Sequence, residues 1–97
     1  MDVREFIRQY NDTEMDTNSL YQFDAEPYDT ALWGLDADRK DYMIYIADGT
    51  NAGFLLLTTS SIANSIKDSK KVTFTVRIDP TSTISIDPIY VVSAVPK

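Results

Sequence analysis

The sequence predicts an α+β fold: a mostly antiparallel sheet of four or five strands, with an N-terminal helix and a short helix between strands. Three observations support this prediction. Apolar residues recur at helical spacing near the start, two apolar runs flank an Asp-Gly turn within residues 41–60, and residues 71–79 alternate apolar with polar side chains. At 97 residues, the chain is expected to form a single domain, residues 1–97, around one core.

The N-terminal segment is expected to form a short amphipathic helix that packs on the sheet. Asp2 and Glu5 have the spacing of a capping box, which marks the start of a helix. The apolar residues that share one face of this helix are Val3, Phe6, Ile7 and Tyr10.

The following positions give weaker signals. Residues 11–19 are rich in turn-forming and capping residues, which predicts a loop, and residues 20–23 predict a brief strand. Residues 24–41 contain a proline and a glycine and keep no sustained period. They therefore predict a loop with one helical turn at residues 29–35.

The clearest pattern is a β-hairpin formed by the runs DYMIYIAD and GFLLLTTS. Asp48-Gly49 lies between them, and this dipeptide supplies the positive φ that tight hairpin turns require. Because Met43–Ala47 and Phe54–Leu57 are continuously apolar, we expect these strands to be covered on both faces, at the centre of the sheet.

A second helix and two strands are expected after the hairpin. Ser60 or Ser61 is a candidate N-cap for a helix whose apolar face carries isoleucine and alanine. Residues 71–79 predict a half-buried strand. Pro88 cannot donate a ladder hydrogen bond, so the final strand, residues 84–94, is expected at a sheet edge or with a bulge.

Charge is distributed unevenly along the chain. The net charge is −6, and residues 12–48 contain ten acidic and two basic side chains, whereas bases outnumber acids in the remainder. Direct binding of nucleic acid or of an anionic membrane is therefore not expected, because both need a basic surface.

Catalysis, a bound metal and a cofactor are also not expected. The chain has no histidine and no cysteine, and it has no Gly-rich phosphate-binding motif. Asp12, Glu14, Asp16 and Asn18 have the alternate spacing of a calcium loop, but the glycine and glutamate that complete such a loop are missing. We therefore predict a non-enzymatic protein. The N-terminus does not resemble a secretory signal and no apolar run is long enough to span a bilayer, so the cytoplasm is the expected location.

The candidate binding surface combines these acidic residues with aromatic rings. Tyrosine and tryptophan are common interface anchors, and carboxylates steer a basic partner. The alternative interpretation assigns the rings to the core and the acids to solubility. The residues predicted to bind a partner are Asp24, Glu26, Tyr28, Asp29, Trp33, Asp36, Asp38 and Asp41.

Two functional hypotheses follow. The first is an acidic binding protein that occupies a basic surface of a partner protein; its most specific form is an inhibitor that imitates nucleic-acid phosphates. Phage-encoded inhibitors of host defence share this size and charge, which is a likeness of composition and not of motifs. The second is a small structural or assembly subunit, such as a virion component, that associates through an exposed strand edge in the β-prone C-terminal part. A monomer or a homodimer is compatible with both.

Overall fold

The computed structural model describes residues 2–12, 19–35, 41–50, 52–78 and 89–97. Within these residues the chain forms two α-helices, a 3₁₀ turn at Thr30–Leu32 and one mixed sheet of seven strands. The helices are α1 (Val3–Asn11) and α2 (Ser60–Ile66). The strands are β1 (Tyr21–Ala25), β2 (Pro27–Tyr28), β3 (Gly34–Leu35), β4 (Tyr42–Ala47), β5 (Gly53–Thr58), β6 (Val72–Ile78) and β7 (Ile89–Pro96).

The sheet curls until its two ends meet. The strand order is β1-β6-β7-β5-β4-β2, and β3 also pairs with β4. Although β1 and β2 lie at opposite ends of this order, only Glu26 separates them in the chain, and its carbonyl accepts the Ala47 amide at 2.8 Å. The sheet is therefore a partly open barrel.

The prediction of an α+β fold is confirmed, and so is the N-terminal helix, but the predicted sheet was too small and too uniform. Two of the additional strands, β2 and β3, are two-residue pieces within the segment predicted to be a loop. The sheet is mixed because β5 and β7 are parallel, with Leu57 opposite Tyr90. After β5, α2 leads the chain to β6 on the far side of β7, so β5 and β6 are not neighbours.

The final strand does not lie at a sheet edge. β7 lies between β6 and β5, so the prediction of an edge position was wrong. Its register with β6 shifts between Thr75 and Val76, which leaves Val92 as an extra residue in the ladder. This irregularity is the kind of bulge that was the alternative expectation for this strand, although Pro88 itself lies outside the described residues.

The barrel interior is filled by alternate side chains of the strands. Along β6, the residues predicted to face inward are all buried, namely Val72, Phe74, Val76 and Ile78. Helix α2 adds Ala63 and Ile66 to this core. Its N-cap is Thr59, one residue earlier than expected, and the Thr59 hydroxyl accepts the Ile62 amide at 3.2 Å.

Helix α1 packs on the core through Phe6. The Phe6 ring is fully buried and stacks on Phe23 with 4.5 Å between ring centroids. Asp2 caps the helix by accepting the Arg4 amide at 3.0 Å. Glu5 bonds to Arg8.

The β4–β5 hairpin forms as predicted, but it is covered on one face more completely than on the other. Ile44, Ile46 and Leu56 point into the core and are fully buried. On the opposite face Tyr45 is half-buried and Leu55 is 43% exposed. The continuous apolar run therefore reflects a barrel wall with an apolar outer surface, and the prediction of cover on both faces was wrong for Leu55.

Candidate functional site

The candidate site is built on the edge segment, which we define as residues 26–35: Glu26, β2, the 3₁₀ turn and β3. β2 and β3 both pair antiparallel with β4, placing Tyr28 opposite Tyr45 and Gly34 opposite Met43. The 3₁₀ turn lies between these two pairs in the chain and falls within the predicted helical turn, residues 29–35, whose last two residues form β3 instead. Pairing with β4 therefore holds both ends of a segment that sequence patterns predicted to be a loop.

Trp33 anchors the edge segment to the core. Its side chain is only 7% exposed, and its indole Nε1 donates a hydrogen bond to the Tyr28 carbonyl at 2.9 Å. The prediction that Trp33 is an exposed anchor for a partner was therefore wrong. A large ring with a single donor is buried most favourably where that donor finds an acceptor, and the Tyr28 carbonyl at the end of β2 supplies one.

Two leucines beside Trp33 take the exposed positions. Leu32 is 65% exposed and Leu35 is 68% exposed. The Leu32 amide donates to the Asp29 carbonyl at 2.8 Å, which closes the turn and rotates the leucine away from the core. Sequence reasoning missed both residues. The signal was the run ALWGL, because a tight turn cannot direct every apolar side chain of such a run inward.

The predicted acidic residues around this segment have different surroundings. Glu26 and Asp29 are exposed, and Asp29 adopts a left-handed backbone with φ of 48°, which aspartate tolerates better than most residues. Asp41 is half-buried and accepts the Tyr90 hydroxyl at 2.7 Å. Asp36 and Asp38 lie outside the described residues.

Asp24 belongs to a separate environment on β1. Its carboxylate accepts Lys97 Nζ at 2.7 Å and Thr73 Oγ1 at 2.6 Å, and these bonds lower the pKa of Asp24 below its ordinary value. It lines a groove of about 280 Å³ between the start of α1 and the barrel. The other charged residues of this groove are Asp2, Arg4, Glu26 and Lys71. Asp24 is thus paired with Lys97 within the chain, in a groove that carries both acidic and basic side chains.

Tyr28 lies on the outer surface of the barrel, where it is half-buried. A Cβ placed on Gly53 would lie 2.9 Å from Cδ1 of Tyr28 and 3.5 Å from Cδ1 of Tyr45. Both rings therefore lie over this glycine, which has no side chain to obstruct them. Of the residues predicted to bind, the edge segment brings together Glu26, Tyr28 and Asp29.

This arrangement offers contact surface and charge. Among the residues that the structure describes, no three acidic, histidine or cysteine side chains are grouped to hold a metal ion. Within the same residues, no helix is long and apolar enough to cross a membrane. Comparison of the chain with family models, with curated proteins and with solved structures gave no match.

Proposed function

We propose that this chain is a non-catalytic binding protein whose edge segment docks on a basic surface of another protein. One observation carries the proposal: Leu32 and Leu35 are 65% and 68% exposed on either side of a buried tryptophan. Exposed large apolar side chains beside polar ones are a feature of interaction sites. Here the neighbouring charges are the exposed carboxylates of Glu26 and Asp29.

The edge segment is ordered before it meets a partner. Strand pairing with β4 and the Trp33 hydrogen bond fix the backbone on both sides of Leu32. A contact made by ordered groups pays less conformational entropy on binding. The leucines can therefore insert into an apolar recess without a costly rearrangement of the segment.

The negative net charge of the chain favours a partner with a basic surface. A net charge of −6 favours encounter with a basic surface and opposes contact with phosphates. The most specific form of the proposal is a phage-encoded anti-defence inhibitor that covers a nucleic-acid-binding surface of its partner. The alternative of assembly through the last strand would use the side of β7 that faces β5, where the ladder consists of the Leu57–Tyr90 pair, because β6 pairs with β7 on its other side.

The experiment compares three immobilised chains: wild type, Leu32→Ser with Leu35→Ser, and Leu20→Ser. Leu20 is 63% exposed but lies outside the edge segment, so it is a matched control. The lysate comes from the cells in which the chain acts. We expect wild type and Leu20→Ser to retain a basic protein from this lysate, and we expect the double variant not to retain it. Equal retention by all three chains would refute docking through the edge segment.

A further inference from the structure

The last strand is longer than the ladder on one of its sides. β6 pairs with β7 from Ile89 to Pro96. On the other side, the ladder between β5 and β7 consists of the Leu57–Tyr90 pair, and β5 ends one residue later, at Thr58. Because β5 and β7 run parallel, the end of β7 continues past the end of β5. We call this part the β7 overhang and define it as residues 92–96.

The backbone of the β7 overhang directs hydrogen-bonding groups away from β6. The Lys97 amide donates to the Lys71 carbonyl at 2.9 Å, so these two residues face each other. In an antiparallel ladder, residue pairs that exchange hydrogen bonds alternate with pairs that do not. Counting from Lys97, the backbone groups of Ala94 and Pro96 therefore point away from β6. Since proline has no N–H, the outward donor beyond the bulge is the Ala94 amide, and the described residues provide no acceptor for it.

The side chains of the β7 overhang are uncharged and largely exposed. Val92 is 44% exposed and Val95 is 57% exposed. Ser93 and Pro96 are exposed as well, and Ala94 is half-buried. Sheets ordinarily protect a free strand edge with charged side chains or cover it, because such an edge is a template for pairing with another strand. The β7 overhang has neither form of protection on the side away from β6.

The local charge favours a second copy of this chain as the occupant. With a net charge of −6, two copies repel each other wherever their carboxylates meet. The β7 overhang contains no acidic residue. Beside it, Asp24 accepts Lys97 Nζ at 2.7 Å, so these two charges offset each other. The acidic edge segment pairs with β4, which β5 separates from β7 in the strand order.

We propose that the β7 overhang pairs antiparallel with the β7 overhang of a second copy, so that two barrels form a symmetric dimer. Ala94 is the middle residue of the overhang, and its N–H and C=O both point outward. A two-fold axis at Ala94 therefore gives each Ala94 amide the Ala94 carbonyl of the other copy, and it places Val95 opposite Ser93. The bulge at one end and Pro96 at the other limit the ladder to the overhang in both copies.

Sedimentation equilibrium measures this dimer directly. The overhang is much shorter than the roughly 20–30 residues a side of a standard interface, so we expect weak association. The weight-average mass should be near the monomer value of 11.0 kDa in dilute solution. At about 1 mM protein it should be about 1.5-fold higher, which corresponds to a dissociation constant of about 1 mM. Added salt should raise the mass further, because salt screens the repulsion between two acidic chains.

A mass that stays at 11.0 kDa at the highest concentration would overturn the inference. Association that salt weakens would overturn it too, since that result would indicate contact between opposite charges.

Hydrogen exchange at two amides of the same strand locates the contact. The Ala94 amide points away from β6, whereas the Val95 amide points toward it. Exchange at Ala94 should be about twofold slower at about 1 mM than at about 50 µM protein, because about half of the chains are then paired. Exchange at Val95 should be the same at both concentrations. A rate at Ala94 that does not depend on concentration would exclude the overhang as the contact.

Matched lysine variants test the position independently. Val95→Lys brings two like charges together across the two-fold axis, whereas Leu20→Lys makes the same charge change at a 63% exposed position before β1. We expect Val95→Lys to remain monomeric at about 1 mM and Leu20→Lys to associate at least as strongly as wild type. Circular dichroism verifies that both variants fold. Equal masses for the two variants would refute the overhang as the contact.

This inference goes beyond the proposed function, and the two fail separately. The Leu32→Ser, Leu35→Ser variant should dimerise like wild type, because the edge segment takes no part in the contact. If wild type stays monomeric while Val95→Lys loses the captured basic protein, the overhang accepts a strand of that partner, and the proposed dimer is wrong.

Discussion

Replacing Trp33 with phenylalanine tests whether this residue holds the edge segment in place. The change removes the donor that bonds the Tyr28 carbonyl at 2.9 Å, and it leaves a smaller ring in a site where tryptophan is 7% exposed. A lost hydrogen bond costs about 0.5–1.5 kcal/mol, and the unfilled part of the ring site adds to it. We expect the free energy of unfolding to fall by about 2–3 kcal/mol in total, a large part of the roughly 5–15 kcal/mol typical of a domain.

Urea unfolding followed by far-ultraviolet circular dichroism measures this loss, since the variant has no tryptophan fluorescence. The denaturant midpoint should fall while the slope m stays unchanged. Leu32→Ser is the control: it alters a 65% exposed side chain next to Trp33, so its free energy of unfolding should stay within about 0.5 kcal/mol of wild type. If Trp33→Phe were as stable as this control, Trp33 would not be the anchor of the segment.

Two further predictions concern charge and backbone. Hydrogen bonds from Arg8 and Gln9 lower the pKa of Glu5 from 4.5 to about 2. The ionised Glu5 carboxylate therefore stabilises the fold above pH 4.5, and this contribution is lost as the pH falls toward 2. The Tm of Glu5→Gln should fall less over this pH range than the Tm of wild type, and parallel curves of Tm against pH would contradict the assignment. Gly49 has φ of 89°, and a Cβ there would collide with the Arg4 side chain. Gly49→Ala should lower the free energy of unfolding by about 1–2 kcal/mol in urea titrations, and an unchanged midpoint would show that the turn adapts without cost.

Local patterns predicted the elements whose residues have regular burial. β6 and the β4–β5 hairpin follow period-two or continuous apolar runs, and α1 follows helical spacing, because in each case the core side determines the sequence pattern. The two-residue strands β2 and β3 had no such signal. Their structure depends on pairing with β4, a contact between segments that a local window does not compare. For the same reason, local sequence patterns could not predict the contact between Glu26 and Ala47 at which the sheet closes.

Composition indicated the segment that carries the candidate site, but not which of its side chains face outward. Residue types indicated an acidic and aromatic surface within residues 24–41, and Glu26 and Asp29 are indeed exposed there. Composition could not show that Trp33 turns inward and Leu32 outward, since a turn decides this. Nor could it show that Asp24 bonds to Lys97, which is 73 positions away. Side-chain direction and long-range pairing were the missing information.

The most direct test of the central claim is the salt dependence of the affinity between the purified chain and the basic protein that it captures. The dissociation constant is measured by calorimetry from about 50 to about 200 mM salt. We expect affinity to fall steeply with salt for wild type and less steeply when Glu26 and Asp29 are replaced with glutamine and asparagine. The Leu32→Ser, Leu35→Ser variant should bind more weakly at every salt concentration with an unchanged slope. An affinity of wild type that is independent of salt would contradict docking of an acidic segment on a basic surface.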